Sequence, residues 1–137
     1  MSDSELLNDV RRWLRFARED LEVAEALSSE ARFPPRYVCW LAQQAAEKAL
    51  KGALSSQQIP FPFRHDLDAL RNLLPENWHV RIRCPDLAEL TEWAVEARYP
   101  GDHPEATLDD ARRAAEQGRS VYESVTRDLA THGIQID

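Results

Sequence analysis

Apolar side chains recur at intervals of three and four residues along most of this chain, and that spacing predicts amphipathic helices. In the first of them, Val10, Leu14, Ala17 and Leu21 fall on one face. Prolines separate several of the predicted helices, because proline is tolerated in a first helical turn but not further along. Five helices are predicted, at about residues 4–28, 34–54, 66–74, 85–97 and 107–129.

Two segments interrupt this pattern. The connector at residues 55–64 contains two prolines, so it is predicted to be irregular. In segment 76–83, Trp78, Val80 and Ile82 alternate with other residues as they would in a strand. A lone strand has no partner to pair with, so we predict a loop there. The expected fold is all-α: an antiparallel bundle of four long helices plus one short helix.

The composition is that of an ordinary globular protein. A length of 137 residues is typical of one domain, so we expect a single domain across residues 1–137. No apolar run approaches the roughly 20 residues that cross a bilayer. The N-terminus lacks the basic start and apolar core of a signal peptide. The sequence therefore predicts a cytoplasmic protein that does not associate with membranes.

The net charge, the cysteines and the histidines indicate which ligands the protein is expected to bind. The formal net charge of −7 argues against non-specific binding to nucleic acid, although a local basic cleft is still compatible with it. Cys39 and Cys84 have no CxxC partner and are predicted to be free thiols. The four histidines are scattered without the spacing of metal ligands. We therefore predict no metal site and no cofactor.

Four pieces of sequence, taken in order, resemble the HEPN domain family (higher eukaryotes and prokaryotes nucleotide-binding domain). The resemblance extends from about Asn8 to Leu129 and is to the Arg-Tyr-Pro-containing bacterial and archaeal type. The pieces are Trp13, Ala17, Asp20, Leu21 and Ala24; the stretch Tyr37 to Gly52; Arg64-His65-Asp66-Leu67; and Ala97-Arg98-Tyr99-Pro100-Gly101.

The resemblance implies more than a fold. It implies a HEPN-like helical bundle that forms a symmetric homodimer, with any active cleft located where the two subunits meet. It also implies a common partner, a small nucleotidyltransferase encoded alongside. The two proteins would act as a toxin–antitoxin or regulatory pair.

Arg98 and His103 are the candidate catalytic residues. Catalytic HEPN domains carry an Arg, four to six further residues and a His, and this pair forms a metal-independent RNase site. His can act as the base for a 2′-hydroxyl near neutral pH, and Arg offers a fork of donors to the phosphorane. Here Tyr99 and Pro100 follow the Arg, where catalytic members carry a compact polar residue. The alternative is that Arg98 stabilises a helix C-terminus and Tyr99 packs against the bundle.

A second set of candidate residues could bind a nucleotide or a partner: Gln44, Lys48, Lys51 and His65. A lysine on the second helix could meet a phosphate. Alternatively, the polar side of this helix is surface plus a buried amide network, with Glu47 and Lys51 pairing four residues apart on the surface. For His65, the structural alternative is a position at a helix start, where His65 or Asp66 caps free amides.

Three functional hypotheses follow. The first is a nucleotide-binding or regulatory HEPN partner of a small nucleotidyltransferase. The second is a metal-independent endoribonuclease toxin that uses Arg98 and His103 and acts on RNA. The third is a helical scaffold with no ligand. A nucleotidyltransferase reading frame beside this gene would favour the first two over the third.

Overall fold

The chain folds as a bundle of helices in a computed structural model that describes residues 2–63 and 65–136. Arg64, which belongs to the quoted sequence Arg64-His65-Asp66-Leu67, lies outside the described residues, as do Met1 and Asp137. The described residues contain no strand, which confirms the predicted all-α class. The helices are α1 (Asp3–Leu27), α2 (Pro35–Ser56), α3 (Leu67–Asn72), α4 (His79–Arg83), α5 (Ala88–Glu96) and α6 (Leu108–Thr131).

The central element is α2, which packs along α1 on one side and along α6 on another. Glycines allow both approaches. A Cβ added at Gly52 would lie 2.3 Å from Leu14 Cδ2 in α1, and one added at Gly118 of α6 would lie 3.1 Å from the Ala42 carbonyl oxygen in α2. Gly118 therefore lets α6 approach α2 closely.

The prediction of a loop at segment 76–83 is wrong, because residues 79–83 form the short helix α4. Its N-cap residue, Trp78, provides no side-chain cap. Asp128 of α6 takes that role, since its two carboxylate oxygens accept hydrogen bonds from the amides of His79 (2.7 Å) and Val80 (3.0 Å). A five-residue helix is too short to stand alone, and a cap from a distant residue leaves no local sequence signal.

The start of α5 also differs from prediction. The sequence places it at Pro85, whereas the helix begins at Ala88. The amide of Leu87 donates to Asp68 Oδ1 (2.9 Å), and Arg71 Nη1 donates to the Cys84 carbonyl (2.8 Å). These contacts tie the segment before α5 to α3 and hold it out of the helix.

Thr107 and Asp110 form a reciprocal capping box at the start of α6. The prediction for the two cysteines is confirmed. Cys39 and Cys84 are buried free thiols. Burial, assisted by the carboxylates of Asp110 and Glu89, raises the pKa of Cys39 to about 12, so its thiol is un-ionised at neutral pH. Within residues 2–63 and 65–136, no helix has both the length and the apolar character needed to cross a membrane.

Candidate functional site

The Arg98-Tyr99-Pro100-Gly101 sequence follows the end of α5. Helical geometry stops at Glu96, and the amides of Arg98 and Tyr99 both donate to the Val95 carbonyl, at 3.0 and 3.2 Å. Pro100 has no amide hydrogen and disfavours helical geometry in the residue before it. The chain therefore does not resume the helix after Tyr99, and residues 96–106 form one wall of a cleft.

That cleft has a volume of about 360 Å³ and lies between the start of α2 and residues 96–106. Arg98 and His103 both line it, so the structure brings together the two candidate catalytic residues. Arg36, from the first turn of α2, lines it as well. Two carboxylates, Glu96 and Glu105, share the same walls. Charged side chains of both signs therefore line the cleft, beside several proline and alanine residues.

Arg98 is exposed and held by its neighbour in sequence. Its guanidinium lies over the Tyr99 ring, 5.1 Å from the centroid, and Nη2 donates to the Tyr99 hydroxyl at 3.0 Å. Tyr99 is itself 56% exposed. Tyr99 is therefore mostly exposed and not buried in the bundle. The remaining guanidinium donors of Arg98 are available to a ligand.

His103 faces backbone acceptors at both ring nitrogens. Nδ1 lies 3.2 Å from the Pro104 carbonyl oxygen, and Nε2 lies 3.3 Å from that of Tyr99. A neutral imidazole can donate to only one of them, whereas the imidazolium donates to both. The Pro104 carbonyl has the largest effect and raises the pKa of His103. The Tyr99 carbonyl and nearby carboxylates raise it further, and slight desolvation opposes them.

Three members of the second candidate set, Gln44, Lys51 and His65, belong to a separate hydrogen-bonded network centred on α2, and none of them lines this cleft. Glu47 is its centre: it accepts from Lys51 Nζ (2.9 Å), His65 Nδ1 (2.7 Å) and Gln43 Nε2 (3.0 Å). Because a carboxylate only accepts, His65 must carry its proton on Nδ1. Gln44 Nε2 donates to Gln43 Oε1 at 2.7 Å and extends the network.

Burial distinguishes this network from a surface ion pair. The side chains of Glu47 and Lys51 are each only 9% exposed, which corrects the prediction that they pair on the surface. Burial alone would raise the pKa of Glu47. The hydrogen bonds from Lys51, His65 and Gln43 and the charge of Lys51 outweigh it, so the pKa is lowered.

Lys48, the fourth candidate of this set, also has a partner within the protein, and His65 does not cap α3. Lys48 Nζ pairs with Asp20 of α1 at 2.6 Å and lies near the Phe16 ring. Asp66, and not His65, caps α3, by accepting from the Ala69 amide at 3.1 Å. These contacts account for Lys48, Lys51 and His65 without a ligand. Their role in nucleotide or partner binding stays a prediction.

Sequence reasoning missed Arg36 as a cleft residue. The only signal for it was the dipeptide Arg36-Tyr37, which repeats the Arg98-Tyr99 step. It also missed Asp128, for which no nearby pattern indicated a capping role.

Comparisons with known proteins identify the family and agree with the fold. The family model for the HEPN domain matches residues 10–129. The chain belongs to the HEPN domain family. Two solved structures are similar to this HEPN protein over most of its length. No match was found among curated proteins.

The first similar structure is TT1696 from Thermus thermophilus, which is 28% identical with a TM-score of 0.76. The match covers 89% of this chain and 99% of that one. The second is ST0689, an archaeal HEPN homologue, which is 27% identical with a TM-score of 0.67. That match covers 88% of this chain and 97% of the other.

Proposed function

We propose that this HEPN protein binds a nucleotide in the cleft between the start of α2 and residues 96–106. It would serve as the nucleotide-binding or regulatory partner of a small nucleotidyltransferase in a two-component, toxin–antitoxin-type pair. The observation that supports this most is that Arg98 and His103 line one cleft, with His103 in surroundings that favour its cationic form.

The chemistry of the two side chains suits phosphate. A guanidinium offers planar, paired donors that match phosphate oxygens, and hydrogen bonds between ions are stronger than neutral ones. An imidazolium adds positive charge. A general base, by contrast, needs a free lone pair on His103, and in this geometry each ring nitrogen faces a carbonyl oxygen. The arrangement therefore supports anion binding more than proton abstraction.

Calorimetric titration with adenosine diphosphate tests the proposal. Wild type should bind, and Arg98→Ala should weaken binding about tenfold to a hundredfold, the usual effect of losing a charge-assisted hydrogen bond. Arg83→Ala is the matched control, because Arg83 is exposed and does not line the cleft. Absence of binding, or equal binding by wild type and Arg98→Ala, would contradict the proposal. No binding would favour a helical scaffold with no ligand.

The second candidate function is a metal-independent endoribonuclease. It is favoured by the convergence of Arg98 and His103 on one cleft at the spacing found in catalytic HEPN domains. In that case His103 would remove the proton of a 2′-hydroxyl, and Arg98 would stabilise the charge on the phosphorane.

We also propose that the protein is a homodimer in solution, as its resemblance to the family implies. Several large apolar side chains are exposed on the single chain and could be covered by a second copy, among them Ile82 (70%) and Leu108 (68%). Light scattering should give twice the mass of one chain at micromolar concentration. A monomer mass throughout that range would rule the dimer out.

A further inference from the structure

The chain contains two Arg-Tyr steps, Arg36-Tyr37 and Arg98-Tyr99, and both adopt the same local arrangement. The Arg36 guanidinium lies 4.8 Å from the Tyr37 ring centroid, and Arg98 lies 5.1 Å from that of Tyr99. In each step Nη2 donates to the tyrosine hydroxyl, at 3.2 and 3.0 Å respectively. Each ring therefore restrains an arginine side chain, which reduces the entropy lost when the guanidinium binds a ligand.

Both arginines line the same cleft, although they come from different elements. Arg36 lies in the first turn of α2, and Arg98 follows α5. Among the described residues, 2–63 and 65–136, neither forms an ion pair with a carboxylate. Their guanidinium groups are thus not neutralised by a direct partner.

The charges that line the cleft give Arg36 a particular importance. Glu96 and Glu105 are the carboxylates on its walls, and they oppose the charges of Arg98 and protonated His103. Arg36 supplies the third cation among the lining side chains. When His103 is protonated, the lining is balanced without Arg36 and favours an anion with it; when His103 is neutral, Arg36 offsets the second carboxylate.

We infer that Arg36 is a second phosphate-binding residue of this cleft, and that the ligand is a nucleotide with at least two phosphates. This inference rests on the proposed function. Arg98 and His103 suffice for one phosphate, and Arg36 reaches the next from the α2 side. A volume of about 360 Å³ is at the small end for a ligand site, so it suits the phosphate chain better than the entire nucleotide. The exposed Tyr99 ring offers a surface on which the base can stack.

The test compares adenosine diphosphate with adenosine monophosphate by calorimetry. Wild type should bind the diphosphate more tightly. Arg36→Ala should weaken diphosphate binding about tenfold to a hundredfold and leave monophosphate binding within about twofold. Arg36→Lys keeps the positive charge but not the paired donors of the guanidinium, so its loss of diphosphate affinity should be intermediate. The same comparison with pyrophosphate and phosphate tests the two-phosphate requirement without the adenosine.

Arg32→Ala is the matched control. Arg32 also lies over the ring of its neighbour, Phe33, at 4.9 Å, but it does not line the cleft. It should bind both nucleotides as wild type does. A cooperative thermal unfolding transition for each variant would show that it is folded.

The outcomes separate this inference from the proposed function. If Arg98→Ala weakens binding and Arg36→Ala does not, Arg36 is not a ligand and the inference is wrong, while nucleotide binding stands. Equal losses for monophosphate and diphosphate in Arg36→Ala would also overturn the second-phosphate role. If wild type binds neither nucleotide at millimolar concentration, the proposed function itself is wrong.

Discussion

The Nε2 atom of His103 lies 3.3 Å from the carbonyl oxygen of Tyr99, the residue that follows Arg98. This contact closes the turn containing Pro100 and Gly101 and directs the imidazole toward the backbone. A Cβ added at Gly101 would lie 3.2 Å from His103 Cδ2, so glycine leaves room for the ring. The turn that places His103 in the cleft therefore also occupies the nitrogen that catalysis would need.

Purified protein should cleave RNA weakly or not at all in the presence of EDTA. The reason is that His103 needs a free lone pair to act as a base, whereas both of its ring nitrogens face carbonyl oxygens, which favour the protonated ring. The measurement is RNA cleavage by wild type, His103→Ala and Arg98→Lys. His79→Ala is the control, because His79 lies at the start of α4 and not in the cleft.

Robust cleavage that His103→Ala abolishes, but His79→Ala does not, would establish the RNase function instead. The loss expected for a positioned acid–base residue is roughly 10²- to 10⁴-fold. Arg98→Lys should then also be impaired, since a point charge cannot replace a bidentate guanidinium.

The Glu47 network should make the protein sensitive to acid. The folded pKa of Glu47 is lowered from its ordinary value of 4.5. Its ionised form therefore contributes stability that is present above about pH 4.5 and is lost as the pH falls through the folded pKa. Glu47→Gln should lower the free energy of unfolding at neutral pH by about 1–3 kcal/mol.

Urea unfolding at a series of pH values measures this effect. Glu47→Gln should lose less stability than wild type as the pH falls from about 4.5 through the folded pKa of Glu47. Glu19→Gln, an exposed position on α1, is the control and should follow wild type. If the free energies of unfolding of wild type and Glu47→Gln fall in parallel as the pH is lowered, ionised Glu47 does not stabilise the fold.

Asp128 should be important for stability because it caps α4 from another helix. Asp128→Ala leaves the amides of His79 and Val80 without their acceptor, and we expect a loss of about 2 kcal/mol. Asp128→Asn keeps one acceptor and should lose about half as much. Chemical denaturation checks this, with the exposed Glu123→Ala on the same helix as the control. An Asp128→Ala variant as stable as Glu123→Ala would refute the capping role.

The sequence predicted most of the fold because the stripes of α1, α2 and α6 are long and regular. A cap at His65 or Asp66 was also predictable, since both lie at the start of the helix, and Asp66 has that role. The helix α4 was not predictable, because Asp128 caps it across 48 residues. Such a contact depends on how α6 packs and leaves no local pattern.

The candidate site was also predicted only where its residues lie close together in the sequence. Arg98 and His103 were found because their spacing along the chain is short. Arg36 was missed because it joins them only when the start of α2 packs beside the end of α5. The burial of the Glu47–Lys51 pair likewise depends on packing, so an i,i+4 spacing could not distinguish it from a surface pair.

The most direct test of nucleotide binding in this cleft is nitrogen-15 NMR of the His103 ring as a function of pH, with and without adenosine diphosphate. The spectrum of His103→Ala identifies the signal. We predict a pKa above the ordinary value of 6.5 in the free protein and a further rise with nucleotide, since a nearby phosphate favours the imidazolium. An unchanged His103 titration at millimolar nucleotide would contradict the account.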